Sequence, residues 1–305
     1  MFKKILVPLD GSELAERALE PALNLACQEQ GSEMILLSVP VYSDILVPSA
    51  AGFDMLLPDQ SLEKFRQDVE SYLREVKLSR KHYGTRLRTM IVDGDVASVI
   101  VDTAEAQDVD LIVMTTHGYS GFSRWLLGSV TERVLRSAPC PVLAIRDKRP
   151  LTNILITLDG SYLAETALEP GMEVARLLGG NVTLLQVDQE ANLGAIELSM
   201  LEIAEAGLSR HVQHPTGDDH LINYLKRTAD KYRQEGLSVE TVVMEGSPAR
   251  GILDFAEAEE IDLIVMTTHG RTGLRRWVYG SVTEKVLRGT EAAVLVIRPP
   301  AEQLN

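Results

Sequence analysis

"KKILVPLDGSELAERALEPALNLA", Lys3–Ala26, returns as "TNILITLDGSYLAETALEPGMEVA", Thr152–Ala175. Each copy opens on a short apolar run, Ile5–Leu9 or Ile154–Leu158, and turns at Asp-Gly-Ser. In the first copy Leu14, Ala18, Leu19, Ala22, Leu25 and Ala26 then recur at helical spacing, which predicts one helix over Glu13–Gln28. An apolar run that does not alternate with polar residues is covered on both faces. That is the signature of a strand inside a parallel sheet, where crossover helices lie on either side.

Outward from this stretch the same grammar continues. The first half reads as strands at Glu33–Val39, Leu87–Val92, Leu111–Thr115 and Val142–Arg146, alternating with helices at Ser61–His82, Ala97–Gln107 and Ser129–Ser137. The second half repeats the strands at Val182–Val187, Val239–Met244, Leu263–Thr267 and Val294–Arg298. With Ile5–Leu9 and Ile154–Leu158 this gives an α/β chain of two halves, each a parallel sheet between helices. A second long echo, Val113–Leu135 against Val265–Leu287, is identical at sixteen of twenty-three positions. The offset is 149 residues at Asp10/Asp159 and 152 at His117/His269. A period that long marks a duplicated domain, since solenoid repeats are far shorter. The charged stretch Arg146–Leu151 separates the halves, giving domains over 1–148 and 149–305. Two long segments, 40–60 and 188–220, are where the halves differ most, and 191–208 reads as an added amphipathic helix.

Composition narrows the function classes. A net charge of −14 excludes a nucleic-acid surface, which needs clustered Lys and Arg. It leaves a small anion open, because backbone N–H groups at a helix N-terminus can hold one. Cys27 and Cys140 are too few and too far apart for a disulfide scaffold or a zinc ribbon. Cys140 reads as a small apolar residue entering a buried strand. The chain opens directly on a strand-like run, without a signal-peptide pattern or an apolar stretch of spanning length. The expectation is a cytoplasmic protein without membrane contact.

In an open parallel sheet ligands bind beyond the carboxyl ends of the strands, where the strand order reverses. Asp10 and Asp159 follow the first strand of each half. Met114-Thr115-Thr116-His117-Gly118 and Met266-Thr267-Thr268-His269-Gly270 follow the fourth, leading through a glycine-bearing loop to Gly128-Ser129 and Gly280-Ser281. There a helix N-terminus offers the amides of Ser129, Val130 and Thr131, with hydroxyls on Ser129 and Thr131. Structural readings compete. Ser129-x-x-Glu132 and Ser281-x-x-Glu284 fit a capping box, and Asp10 before Gly11 fits a turn. His117 and His269 have no evident acid or nucleophile partner. His211, His214, Asp218, Asp219 and His220 have no metal-site spacing and read as a polar loop. Trp125 and Trp277 read as packing residues.

The paired motifs "ILVPLDGS", Gly118-x9-Gly128-Ser129, Gly270-x9-Gly280-Ser281 and the terminal "PVLAIR" resemble the universal stress protein family over nearly the whole chain. The resemblance implies two tandem Rossmann-like domains of the adenine nucleotide alpha hydrolase-like kind, each a five-stranded parallel sheet flanked by helices. It implies ATP, with Mg²⁺ on the phosphates, and regulation rather than turnover beyond slow hydrolysis. Pro8, Leu9, Asp10, Val39, Met114 and Thr115 would surround adenine and ribose, with Gly118, Gly128, Ser129, Val130 and Thr131 on the phosphates. Thr157, Leu158, Asp159, Val187, Met266, Thr267, Gly270, Gly280, Ser281, Val282 and Thr283 take those places in the second half. This chain departs from the family pattern at Thr115 and Thr267, which replace the first motif glycine, and at Thr157, which stands against Pro8. Arg271, Arg275 and Arg276 make the second loop the more basic and favour it if one half alone binds. The family's final strands pair between domains, implying an intramolecular pseudo-dimer and leaving room for a further homodimer. The alternative is a scaffold of the same fold that meets protein partners without nucleotide. An adenylating enzyme on a related fold ranks last, since "LDGSEL" and "LDGSYL" lack its S-G-G-x-D-S loop.

Overall fold

The computed structural model describes residues 2–28, 31–41, 59–80, 84–116, 127–188, 219–268 and 280–298. The chain divides into two compact units, Met1–Lys148 and Arg149–Asn305. In the first, the strands are β1 (Lys4–Pro8), β2 (Glu33–Ser38), β3 (Arg86–Ile91), β4 (Leu111–Thr115) and β5 (Val142–Ile145). They lie in the order β3-β2-β1-β4-β5 with every pairing parallel. Helices α1 (Leu19–Ala26), α2 (Asp59–Ser79), α3 (Val96–Ala106) and α4 (Ser129–Ser137) connect them.

The second unit repeats the plan. Its strands are β6 (Asn153–Leu158), β7 (Asn181–Asp188), β8 (Val239–Glu245), β9 (Leu263–Thr267) and β10 (Ala293–Ile297). They run β8-β7-β6-β9-β10, again all parallel. Its helices are α5 (Tyr162–Glu165), α6 (Leu168–Leu178), α7 (Asp219–Gln234), α8 (Pro248–Ala258) and α9 (Ser281–Gly289). The Rossmann-like, five-stranded parallel architecture expected from the sequence is therefore present in each half. The central strands carry the core: Ile5, Leu6, Val7, Leu111, Ile112 and Val113 are fully buried. In both units the order reverses between the first strand and the fourth, which sets the crevice at their carboxyl ends.

The expected single helix over Glu13–Gln28 is broken in two. Ala15–Ala18 forms a 3-10 turn, and the α-helix begins at Leu19. Pro21 is the cause: it has no N–H for the Arg17 carbonyl and is tolerated only in the first turn of a helix. Pro170 has the same effect in the second unit, where one-turn α5 ends at Glu165 and α6 starts at Leu168. The copies diverge one residue later. Ala22 becomes Gly171, where an added Cβ would come 2.6 Å from the Ile156 side chain, so α6 lies hard against β6.

At the amino edge of each sheet a carboxylate ties the first strand to the fourth. Asp110 Oδ2 accepts from the Lys3 and Lys4 amides at 3.0 and 2.8 Å. Asp262 Oδ2 accepts from the Thr152 and Asn153 amides at 3.2 and 2.9 Å. These acids fasten the end of the sheet away from the crevice.

Cys140 precedes β5 rather than entering it and is buried, whereas Cys27 is exposed. Burial, aided by the nearby Asp110 charge, pushes the Cys140 thiol up to about 12, against the pull of two backbone hydrogen bonds. Iodoacetamide at neutral pH is therefore expected to modify one thiol per folded chain, at Cys27, because the thiolate is the nucleophile. Mass spectrometry showing two equally fast sites would contradict that reading.

Candidate site at the carboxyl ends of the strands

Leaving β1, the chain turns on Asp10. Its Oδ1 accepts from the Ser12 amide at 3.0 Å and the Ser12 hydroxyl at 2.6 Å, and Ser12 Oγ accepts from the Ala15 amide at 3.1 Å. Gly11 adopts φ +84°, a left-handed conformation that favours glycine. The second copy matches it: Ser161 N–H donates to Asp159 Oδ1 at 2.9 Å, Ala164 N–H to Ser161 Oγ at 3.1 Å, and Gly160 has φ +77°. The turn reading of these acids is thus correct, and it fixes both carboxylates at a crevice edge.

Leaving β4, the chain departs at Thr116 and returns at Gly128. Gly128 N–H donates to the Thr116 carbonyl at 2.8 Å, and Thr116 N–H to the Ile145 carbonyl at 3.0 Å. The second copy closes its loop identically: Gly280 N–H to Thr268 at 2.8 Å, Thr268 N–H to Ile297 at 3.0 Å. His117, Gly118 and Trp125, and in the second copy His269, Gly270, the loop arginines and Trp277, lie outside the described residues.

The capping-box expectation is overturned. Gly128 and Gly280 hold the N-cap positions of α4 and α9, and neither helix has a side-chain cap bond. Ser129 and Ser281 are the first helical residues instead, and Glu132 and Glu284 pair with Arg136 and Arg288 one turn on. A glycine cap leaves the first-turn amides facing outward, as an anion requires. Thr131 and Thr283 do not offer hydroxyls to that anion. Each is 3% exposed, and each hydroxyl donates to a strand-end carbonyl: Thr131 to Thr115 at 2.9 Å, Thr283 to Thr267 at 2.8 Å. What these threonines present is their backbone N–H.

Around the apolar side, Leu9, Leu158, Met114 and Met266 are buried in the core, so backbone is what they bring to the crevice. Pro8, Thr157 and Val187 are half-buried, and Val39 is buried at the end of β2. Register places these ends together, since β1 pairs with both β2 and β4, and β6 with both β7 and β9.

Three groups near this edge escaped the sequence reading. Tyr224 on α7 donates its hydroxyl to Glu165 Oε1 at 2.7 Å. Burial first, then Glu165 and the Asp159 charge, hold its phenol well above the usual tyrosine range. Tyr72 on α2 lies near Glu16 and Asp10, and its phenol is raised likewise, chiefly by burial. The signal was available as a Tyr-Leu pair repeated at an offset of 152 residues. The third group is Arg133 on α4, which grips Asp95, the N-cap of α3, at 2.9 and 2.5 Å. That contact, with help from Ser98, holds the Asp95 carboxyl far below the usual carboxylate range. The second unit has Ser247 and Lys285 at these positions, and Ser247 makes no side-chain cap bond.

Further along α7, Tyr232 donates to Glu169 Oε1 at 3.0 Å, joined by Lys231 at 3.0 Å. Burial and this carboxylate push the Tyr232 phenol from 10.0 up to about 12, opposed by Lys231. A raised folded-state value stabilises fully below pH ~10 and loses its effect as the pH climbs through about 12. Screened through the exposed Glu169 and Lys231, the contribution is on the order of 1 kcal/mol. Alkaline unfolding curves of Tyr232→Phe should be flatter across that window than those of the parent; identical slopes would remove Tyr232 as the cause.

Among the described residues no cluster of His, Cys, Asp or Glu is placed to hold a metal ion, and no helix is long and apolar enough to cross a membrane. Of the polar-loop residues 211–220, Asp219 and His220 alone are described, in the first turn of α7.

A doubled α/β unit with an acid-bearing turn and a glycine-capped helix at the strand reversal defines a class of tandem Rossmann-like proteins. The sequence profile of the Universal stress protein family matches residues 1–146 and again 150–298, and the chain belongs to that family. It is 26% identical to Universal stress protein E homolog of Haemophilus influenzae, across 98% of each chain. A universal stress protein of Methanocaldococcus jannaschii is 33% identical over 146 residues, covering 48% of this chain and 83% of its own length. The crystal structure of a universal stress protein from Archaeoglobus fulgidus superimposes with a TM-score of 0.69 at 23% identity, covering 98% of this chain and 99% of its own.

Proposed function

We propose that the chain is a cytoplasmic, ATP-binding regulatory protein of the stress response, with one nucleotide site in each domain. The observation that carries this reading is the glycine-capped start of α4 and α9, without a side-chain cap bond, beside the acid-bearing turn, built twice from the same hydrogen bonds. The amides of Ser129–Thr131 and Ser281–Thr283 suit the phosphates. A Cβ on Gly280 would stand 3.2 Å from the Thr268 carbonyl, so glycine lets the helix start close on the strand end. Mg²⁺ would add charge neutralisation on the phosphate oxygens. Regulation, with hydrolysis slow at most, follows from the lack of a Walker lysine or a dedicated water-activating residue in the sequence.

Native mass spectrometry of the purified protein tests the reading, with adenine nucleotide expected on the chain. Empty protein that also ignores added ATP–Mg would end it. The second reading, a nucleotide-free scaffold, draws on one observation: Asp10, Thr131 and Thr283 already have internal hydrogen-bond partners. Protein that remains nucleotide-free would favour it.

A further inference from the structure

We propose that Tyr224 is a positioning residue of the second nucleotide site, holding the Asp159 turn through Glu165. The inference rests on the nucleotide reading above and adds residues to it. A chain of contacts runs from α7 to the acid. Tyr224 Oη donates to Glu165 at 2.7 Å, and Glu165 ends α5. Ser161 caps the start of α5, and its own N–H holds Asp159 at 2.9 Å.

Helix α5 is four residues long. A single turn is far too short to be stable alone, so its placement depends on outside contacts. One of them comes from α7, at Tyr224 on Glu165, and Tyr232 on Glu169 ties α7 likewise to the adjoining α6. Leu225, beside Tyr224, is fully buried and seats α7. The carboxylate of Glu165 is therefore tied to a fixed helix, and the Asp159 turn is tied to Glu165.

The first domain keeps the three residue types at matching positions. Glu16 lies in the turn leading to α1, and Tyr72 precedes the buried Leu73 on α2. There the buried Tyr72 hydroxyl closes no hydrogen bond. The second site is thus the more tightly braced of the two.

The test uses the full chain. Titration calorimetry with ATP–Mg should show Tyr224→Phe and Glu165→Ala binding the second nucleotide about five- to tenfold more weakly, because only part of the worth of a hydrogen bond to a charged group reaches the site. Glu165→Gln keeps an acceptor for the phenol and should stay within about twofold. Circular dichroism checks that each variant folds. Parental affinity in Tyr224→Phe, or Glu165→Gln as weak as Glu165→Ala, overturns the assignment. Wild-type protein that ignores ATP overturns it too, but that failure is the nucleotide reading's own and shows before any variant is made.

Discussion

ATP with Mg²⁺ is expected to raise the melting temperature of the wild-type chain by several degrees, and Gly128→Val with Gly280→Val to cut the rise to about half or less. Ligand at a hundred times its dissociation constant stabilises a site by ~2.7 kcal/mol. For a domain of this size each kcal/mol moves the midpoint by about 2–4 °C. Valine at the N-cap keeps an ordinary backbone, since Gly128 and Gly280 have φ −61° and −55°. It would place branched methyls where a phosphate must approach the first-turn amides. Near Gly280 even a single Cβ is 3.2 Å from the Thr268 carbonyl. Affinity should fall about 10- to 100-fold per site, ~1.4–2.8 kcal/mol. Scanning calorimetry with and without ATP–Mg decides it. A double variant that still shifts like the parent would move the phosphates away from α4 and α9.

Thr283→Val is expected to cost the second domain about 0.5–1.5 kcal/mol, the net worth of one hydrogen bond. The hydroxyl donates at 2.8 Å to the carbonyl of Thr267, at the end of β9, and so clamps the helix start to the strand end. Valine is near in shape and equally β-branched, so helix propensity barely changes and the hydrogen bond is isolated. Thr283→Ser, which keeps the donor, should lie close to the parent. Thr131→Val should behave alike in the first domain, through its 2.9 Å bond to Thr115. Because the clamp also aims the first-turn amides, ATP affinity should drop about tenfold at the altered site. Urea titration of each variant checks the stability, and an unchanged midpoint for Thr283→Val would show that the contact is incidental.

The sheet was legible because its strands are apolar on both faces. Leu111–Thr115 and Leu263–Thr267 were readable to the residue, being bounded by an aspartate before and a polar run after. The acid turns were legible as Asp-Gly-Ser. Local motifs misled where two of them overlapped. Ser-x-x-Glu suggested a cap, yet the glycine before it took the cap, since an extended residue without a side chain suits that junction. Helix continuity over Glu13–Gln28 failed because a periodic pattern does not register a proline's missing N–H. The Tyr224–Glu165 contact joins residues 59 apart, and periodicity carries no information about such pairs. Thr115 and Thr267 looked like mere departures from a glycine motif. Their carbonyls prove to anchor the following helix.

The exchange of Ala22 for Gly171 bears on whether one copy can stand in for the other. Grafting the first helix into the second half would bring an alanine methyl to within 2.6 Å of the Ile156 side-chain tip, which would have to move aside to receive it. At this position the halves are not interchangeable without repacking.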